Sequence, residues 1–185
     1  MSRIVLPGEP MIDGATALRP WRDSDLEALV AACRDPEVVR WTSVPRDYGD
    51  ADGRAYLMSR YDAVHADASA PFAVVEAPDG QLLGSIALMR FAWEHARGEV
   101  GYWLAPEARR QGHATRALQL ICAWGFEALG LERIELLAAS GNLASQLVAT
   151  RAGFTPEAVL RSYMRNGDGE RIDMLAFGLL RGESD

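Results

Sequence analysis

The stretch Arg109-Arg110-Gln111-Gly112-His113-Ala114-Thr115 holds the clearest chemistry in this 185-residue chain. Two arginines, a glycine and small residues stand where a polar turn, Pro106-Glu107-Ala108, gives way to a helical pattern. The first turn of a helix presents backbone N–H groups without internal partners, and its dipole end is positive. Gly112 and Ala114 keep bulk away from an approaching anion, and Thr115 adds a hydroxyl donor. Such a start seats a phosphate or pyrophosphate. It is not a P-loop, because no Gly-Lys-Ser/Thr follows, and it is not the dinucleotide fingerprint, because Gly-x-Gly-x-x-Gly is absent. Taken alone, the same residues also suit a solvated loop–helix junction, or a nucleotide-binding protein using the same seat.

The elements that position this segment read in the order β-α-α-β-β-β-α-β-α-β-β. A strand over 15–21 precedes a helix from about Ser24, capped by Asp23 or Ser24 and stopped at Asp35-Pro36. Residues 41–53 read as a loop, and a second helix spans about 51–66. Strands over 72–77 and 82–91 flank the turn Pro78-Asp79-Gly80, and a further strand covers 99–104. The helix over 111–129 is the strongest signal, with Ala114, Ala117, Leu118, Ile121, Gly125 and Ala128 on one stripe and Gly130 as its stop. A strand over 133–138, a helix over 143–152 and strands over 159–165 and 171–180 complete the set. The last two flank Asn166-Gly167-Asp168-Gly169, a hairpin signal. One domain over 1–185, with its core at about 15–181, is expected: an α/β (α+β) fold with a mixed central sheet and helices on both faces.

Composition narrows the function. A net charge of −7 and a pI of about 5.0 argue against a nucleic-acid partner, which wants a basic face. No apolar run approaches the roughly 20 residues of a membrane span. The start Met-Ser-Arg-Ile-Val-Leu-Pro-Gly is too short in apolar residues for a signal peptide, so no membrane partner and a cytoplasmic location are expected. Cys33 and Cys122 form no disulfide framework, and Cys122 sits on an apolar helical face. His65, His95 and His113 lack metal-ligand spacing, so no metal is expected.

Three motifs together carry a family resemblance: Gly98-Glu99-Val100-Gly101-Tyr102-Trp103-Leu104, then Arg109 to Ala114, then Asn142-Leu143-Ala144-Ser145 followed by Ala152-Gly153-Phe154. Their order and spacing resemble the GNAT superfamily of N-acetyltransferases, over about residues 15–181. Within it the chain is most similar to the ribosomal-protein N-terminal serine/alanine acetyltransferases (the RimJ/RimL-like branch), as is its early Leu18-Arg19-Pro20-Trp21-Arg22-Asp23-Ser24-Asp25. The resemblance implies an acetyl-CoA-dependent N-acetyltransferase whose sheet splays around an acyl-CoA cleft. Arg109, Arg110, Gln111, Gly112, His113, Ala114 and Thr115 would then hold the pyrophosphate of acetyl-CoA or CoA. The strand ending in Tyr102-Trp103-Leu104 would pair its backbone with the pantetheine arm, Asn142 would contact the pantetheine side of the cofactor, and Ser145 would lie near the sulfur. The strand starting at Arg133 would form the splayed pair with that ending at Leu104.

Amine acylation needs a base for the attacking amine and a donor for the departing thiolate. Glu99 is the catalytic base candidate, on the same strand face as Gly101 and Trp103; Glu94 and His95 in the preceding loop are runners-up. A purely structural role competes for each. Many superfamily members carry a tyrosine donor four positions before the Gly-Phe, where this chain has Ala149. Ser145, one helical turn after Asn142, is the second catalytic candidate, as that donor. Trp21, Trp41 and Trp93 are open between acceptor cleft and core; Asp47, Asp50 and Asp52 between ammonium attraction and polar loop; and Asp173 reads as satisfying a backbone group. The expected partner is an amine substrate, a protein N-terminus or a small molecule such as an aminoglycoside or polyamine. A CoA-binding regulatory module without turnover is the competing class. An exposed final hairpin strand would permit a homodimer.

Overall fold

A computed structural model describes residues 3–166 and 168–183. Its eight strands form one mixed sheet in the order β1-β2-β3-β4-β5-β6-β8-β7. The strands are β1 (Met11–Asp13), β2 (Thr16–Arg19), β3 (Ser69–Glu76), β4 (Leu82–Ala92), β5 (Arg97–Leu104), β6 (Arg133–Ala139), β7 (Thr155–Arg165) and β8 (Arg171–Leu180). All neighbours run antiparallel except β5 and β6, which are parallel. The helices are α1 (Leu26–Cys33), α2 (Pro36–Trp41), α3 (Asp50–His65), α4 (His113–Ala128) and α5 (Leu143–Arg151). Among the described residues no helix is long and apolar enough to cross a membrane.

Alternation along the strands divides the core in two. Phe72 and Val74 of β3 face Leu118, Ile121, Cys122 and Phe126 of α4 and Ala149 of α5. Ala73 and Val75 face Leu29 and Val30 of α1 and Leu57 of α3 on the other side. Helices therefore cover both faces, as the sequence predicts. Gly125 lets α4 lie close on the sheet, since a Cβ there would meet Leu88 Cδ1 at 2.8 Å.

Several predicted boundaries shift. β1, three residues long, was not predicted and pairs with β2 around Gly14. α2 fills the stretch between the expected helix stop at Asp35-Pro36 and the expected loop over 41–53. Pro36 stops α1 and also opens α2, because proline fits the first helical position, while the Asp35 side chain accepts from Glu37 N and Val38 N. α1 is not capped by Asp23 or Ser24, which lie in a short 3-10 turn ahead of it. α4 begins at His113, so Gln111 and Gly112 are loop. β7 starts at Thr155 rather than 159, directly after Phe154. In the last hairpin Asn166 N donates to Glu170 O, and Gly167 lies outside the described residues.

Asp25 has another task. It receives Nη1 and Nη2 of Arg19 at 2.8 and 2.7 Å and Arg22 N at 2.9 Å, with Arg19 and Asp25 only 5% and 6% exposed. Arg19 Nε also reaches Asp79 at 2.7 Å, so the pair pins the β3–β4 turn to β2 and the start of α1. Removing one partner strands the other charge in a dry site. Asp25→Ala is expected to destabilise the protein by about 3–5 kcal/mol in urea unfolding; a loss below about 1 kcal/mol would show that the pair does not hold this corner.

Candidate active site

The site begins where a pairing ends. β5 and β6 match residue for residue only from Arg97↔Arg133 to Val100↔Leu136. Beyond that point β5 stays on β4, through Ala87↔Gly101 to Gly84↔Leu104, and β6 stays on β8, through Leu137↔Ala176 to Ala139↔Met174. Each strand follows its outer neighbour, so the parallel pair splays, as the family resemblance implies. The gap is a cleft of about 540 Å³. Trp103 and Leu104 line one wall, Leu137 and Asn142 the other, and Trp41 of α2 and Arg151 of α5 also face it.

At its rim stands the start of α4. Arg110 and Gly112 both take left-handed backbone, at φ 63° and 84°. The left-handed φ is what calls for glycine at 112; a Cβ there would lie 2.8 Å from Arg116 Nη1, the end of a flexible side chain that can shift. This loop turns the first N–H groups of α4 outward, where the helix itself cannot use them.

The side chains of this segment divide. Arg109 faces the cleft, but its Nε and Nη2 donate to Leu104 O at 3.2 and 3.0 Å, and Nη2 also pairs with Asp35. It ties the end of β5 to the cap of α2. Gln111 Nε2 donates to Glu107 O at 2.6 Å. The His113 side chain is buried, with Nδ1 2.9 Å from Thr16 Oγ1. Only the backbone of Gln111 and His113 remains for an anion. Arg110 and Ala114 line the cleft, while Thr115 lies on the first turn of α4 outside the lining. Among the described residues Arg110 and Arg151 are held by no ion pair, which leaves two cations for an anionic ligand.

Deeper in, Tyr102 of β5 and Ser145 of α5 meet across the splay, with Oη 2.9 Å from Oγ. Asn142 caps α5, its Oδ1 accepting from Ser145 N at 3.0 Å, so its amide nitrogen is the group left for the cleft. Burial pushes the Tyr102 phenol up to about 12, against the opposing pull of the Ser145 hydrogen bond. Sequence reasoning places Tyr102 on the pantetheine strand but gives its side chain no role. Strand alternation places it with Val100 and Leu104, but its partner lies 43 residues away. Ala149 is fully buried in the core.

Glu99 is on the opposite sheet face, and its Oε1 accepts from Arg90 Nη1 at 2.7 Å. It does not line the cleft itself; its neighbour Gly101 does. Glu94 and His95 occupy an exposed 3-10 turn at the far end of β5 from Tyr102. Trp21 is buried beside α1 and α3, and Trp93 stacks on Phe91. Trp41 alone of those three faces the cleft. Asp52 caps Gly49 N at the start of α3, and Asp173 Oδ1 accepts from Ser162 N at 2.6 Å. Cys122 is buried, and burial pushes its thiol up.

Comparison with known proteins gives the following. Residues 16–155 match the model of the acetyltransferase (GNAT) domain. The uncharacterized N-acetyltransferase YoaA of Bacillus subtilis is 32% identical over 152 residues, which covers 81% of this chain and 85% of that protein. Two solved structures share the fold. RimJ of Mycobacterium smegmatis in complex with CoA-disulfide has a TM-score of 0.82 at 23% identity, covering 95% of this chain and 86% of that one. RimL, the ribosomal L7/L12 alpha-N-protein acetyltransferase in complex with coenzyme A, has a TM-score of 0.84 at 16% identity, covering 96% and 100%.

The His113 contact carries a pH signature. Burial lowers its imidazole pKa, Arg116 pushes the same way, and Glu76 opposes. The unfolded chain therefore takes up this proton first as pH falls through about 6.5. The contribution of neutral His113 is fully present above that pH and is lost as pH falls through the lower folded value. In urea titrations at pH 7.5 and 5.5, wild type is expected to lose more stability than His113→Gln. Equal losses would place His113 in water rather than against Thr16.

Proposed function

The chain belongs to the acetyltransferase (GNAT) domain family, and from that premise we propose that it transfers the acetyl group of acetyl-CoA to a primary amine, an α-amine at a protein N-terminus, by direct attack in a ternary complex. The observation that carries this reading is the splay of β5 from β6 after Val100↔Leu136, opening beside an α4 start built for an anion. Acetyl-CoA supplies the activated thioester. The residues present suit it: backbone N–H groups over Arg110–Thr115 for the pyrophosphate, Arg110 and Arg151 for further negative charge, and the wall from Gly101 to Leu104 with Asn142 for the pantetheine arm. Gln111 and His113 serve through their backbone, and Arg109 holds the wall.

Within the cleft Ser145 donates a hydrogen bond to the departing sulfur. Glu99, on the same face of β5 as Gly101, takes the amine proton through water. A backbone N–H of the splayed strands holds the developing oxyanion. The α-amine is favoured by acidity. Its reference pKa lies near 8 and that of lysine near 10.4, so lysine costs about 3.3 kcal/mol more to deprotonate at the same pH. A site whose base works at a distance suits the less basic amine. The printed activity of RimL, an alpha-N-protein acetyltransferase, points the same way.

The test is thiol release from acetyl-CoA, with mass-spectrometric detection of product, against peptides with free or blocked N-termini, lysine peptides, polyamines and aminoglycosides. Release with free N-termini alone supports the reading; release only with small polyamines or aminoglycosides would replace the acceptor class. Absence of thiol release with every amine tried would leave a CoA-binding module. Gly112→Val, folded by circular dichroism, is expected to weaken CoA binding at least tenfold by calorimetry; unchanged affinity would remove the pyrophosphate from α4. Glu99→Gln is expected to lower kcat by about 100-fold with CoA affinity intact, the low end of general-base effects. Wild-type turnover at every pH would return Glu99 to its ion pair with Arg90.

A further inference from the structure

Two hydroxyls share one hydrogen bond at the base of the cleft. Tyr102 Oη comes from β5 and Ser145 Oγ from α5, 2.9 Å apart, while Tyr102 Oη is 3.5 Å from Ser145 O. We propose that Tyr102 is a positioning residue that fixes which way the Ser145 hydroxyl points, so that the serine proton is presented to the sulfur. This deepens the acetyl-transfer reading and rests on it.

The direction of this bond follows from a count of protons. The pair has two O–H groups and one bond between them. If serine donated to tyrosine, its only proton would be spent, and the phenol proton would face the Ser145 carbonyl at 3.5 Å, beyond good hydrogen-bond range. If tyrosine donates to serine, the phenol, the stronger acid of the two, makes a short bond and the serine proton is free for the cleft. The second arrangement makes the better bond. Accepting a bond also polarises the serine O–H and makes it a better donor. Burial holds the phenol protonated across the working range, with its pKa pushed up to about 12. Asn142 fixes the serine backbone through Ser145 N, and Tyr102 fixes its hydroxyl.

The step balances without any proton leaving Tyr102. The lone pair of the neutral amine forms the new N–C bond to the thioester carbonyl carbon, the C–S bond breaks, and its electron pair goes to sulfur, which the Ser145 O–H solvates. The proton lost by the amine leaves through water, and the thiolate takes up a proton from solvent later. A thiol pKa of about 8.5 lies far below that of this phenol, so full transfer from tyrosine would run uphill.

Tyr102→Phe, Ser145→Ala and the double variant test this, with an activity readout and a binding readout. Each single change is expected to lower kcat by about 5- to 150-fold, with the KM for the amine unchanged. The double variant is expected to match Ser145→Ala, because the two groups act through one contact. The binding readout needs no turnover. CoA is titrated calorimetrically from pH 6 to 10 beside desulfo-CoA, which lacks the thiol. Wild type is expected to gain affinity for CoA over desulfo-CoA as the thiol ionises, and both single variants to lose that gain. Wild-type kcat and an undiminished gain in Tyr102→Phe would overturn the proposal, as would effects that multiply in the double variant. If no amine is acetylated by wild type, the proposed activity fails while the titration still judges the pair.

Discussion

The parallel pairing of β5 and β6 stops after Val100↔Leu136, and the rest of the site depends on that stop. Backbone N–H and C=O groups in a protein interior need partners. Here the inner edges of two strands are parted just where each is still held on its outer edge, β5 by β4 and β6 by β8. The splay is therefore a consequence of the whole sheet. It leaves main-chain groups facing a cleft that an elongated ligand with its own amides can occupy. The close seating of α4 on the sheet at Gly125 anchors the same helix whose N-terminus opens at the rim.

Arg109 shows how the frame and the site are joined. Its guanidinium bonds Leu104 O, the last residue of β5, and pairs with Asp35, the cap of α2. α2 ends in Trp41, which reaches the cleft and packs over Gly141, where a Cβ would sit 3.1 Å from Trp41 Cη2. The wall, the helix across it and the loop leading to Asn142 are thus held to one another by a residue whose type had suggested phosphate binding. Arg110, next in sequence, takes the left-handed turn and stays available.

Much of this was legible in the sequence. The stripe on α4, the alternation along β3 and β5, and the punctuation around the last hairpin fix element types because each signal repeats several times within a short window. α2 was missed because six residues carry barely two turns of pattern, and because Asp35-Pro36 reads equally as the end of one helix and the start of the next. β1 is shorter still. The loop that opens α4 is legible as a segment, but the directions of Arg109, Gln111 and His113 depend on Leu104, Glu107 and Thr16, which local pattern does not connect to them. The Tyr102–Ser145 contact is a product of the splay itself, and no spacing rule encodes it. Alternation puts Glu99 on the strand face of Gly101 and Trp103, but its ion pair with Arg90, which stands in the irregular register between Met89 and Ala92, has no local signal.

The most direct test of the account is amide hydrogen exchange across the whole chain, with and without acetyl-CoA. The account predicts that ligand slows exchange in three segments together: 101–104 on the parted end of β5, 110–115 at the start of α4, and 137–145 from β6 into α5. The outer strands β1, β2 and β7 are expected to be unchanged. Protection confined to α1 and α3, or none in 101–104 and 137–145 at saturating acetyl-CoA, would contradict the claim that the parted strands are the binding site.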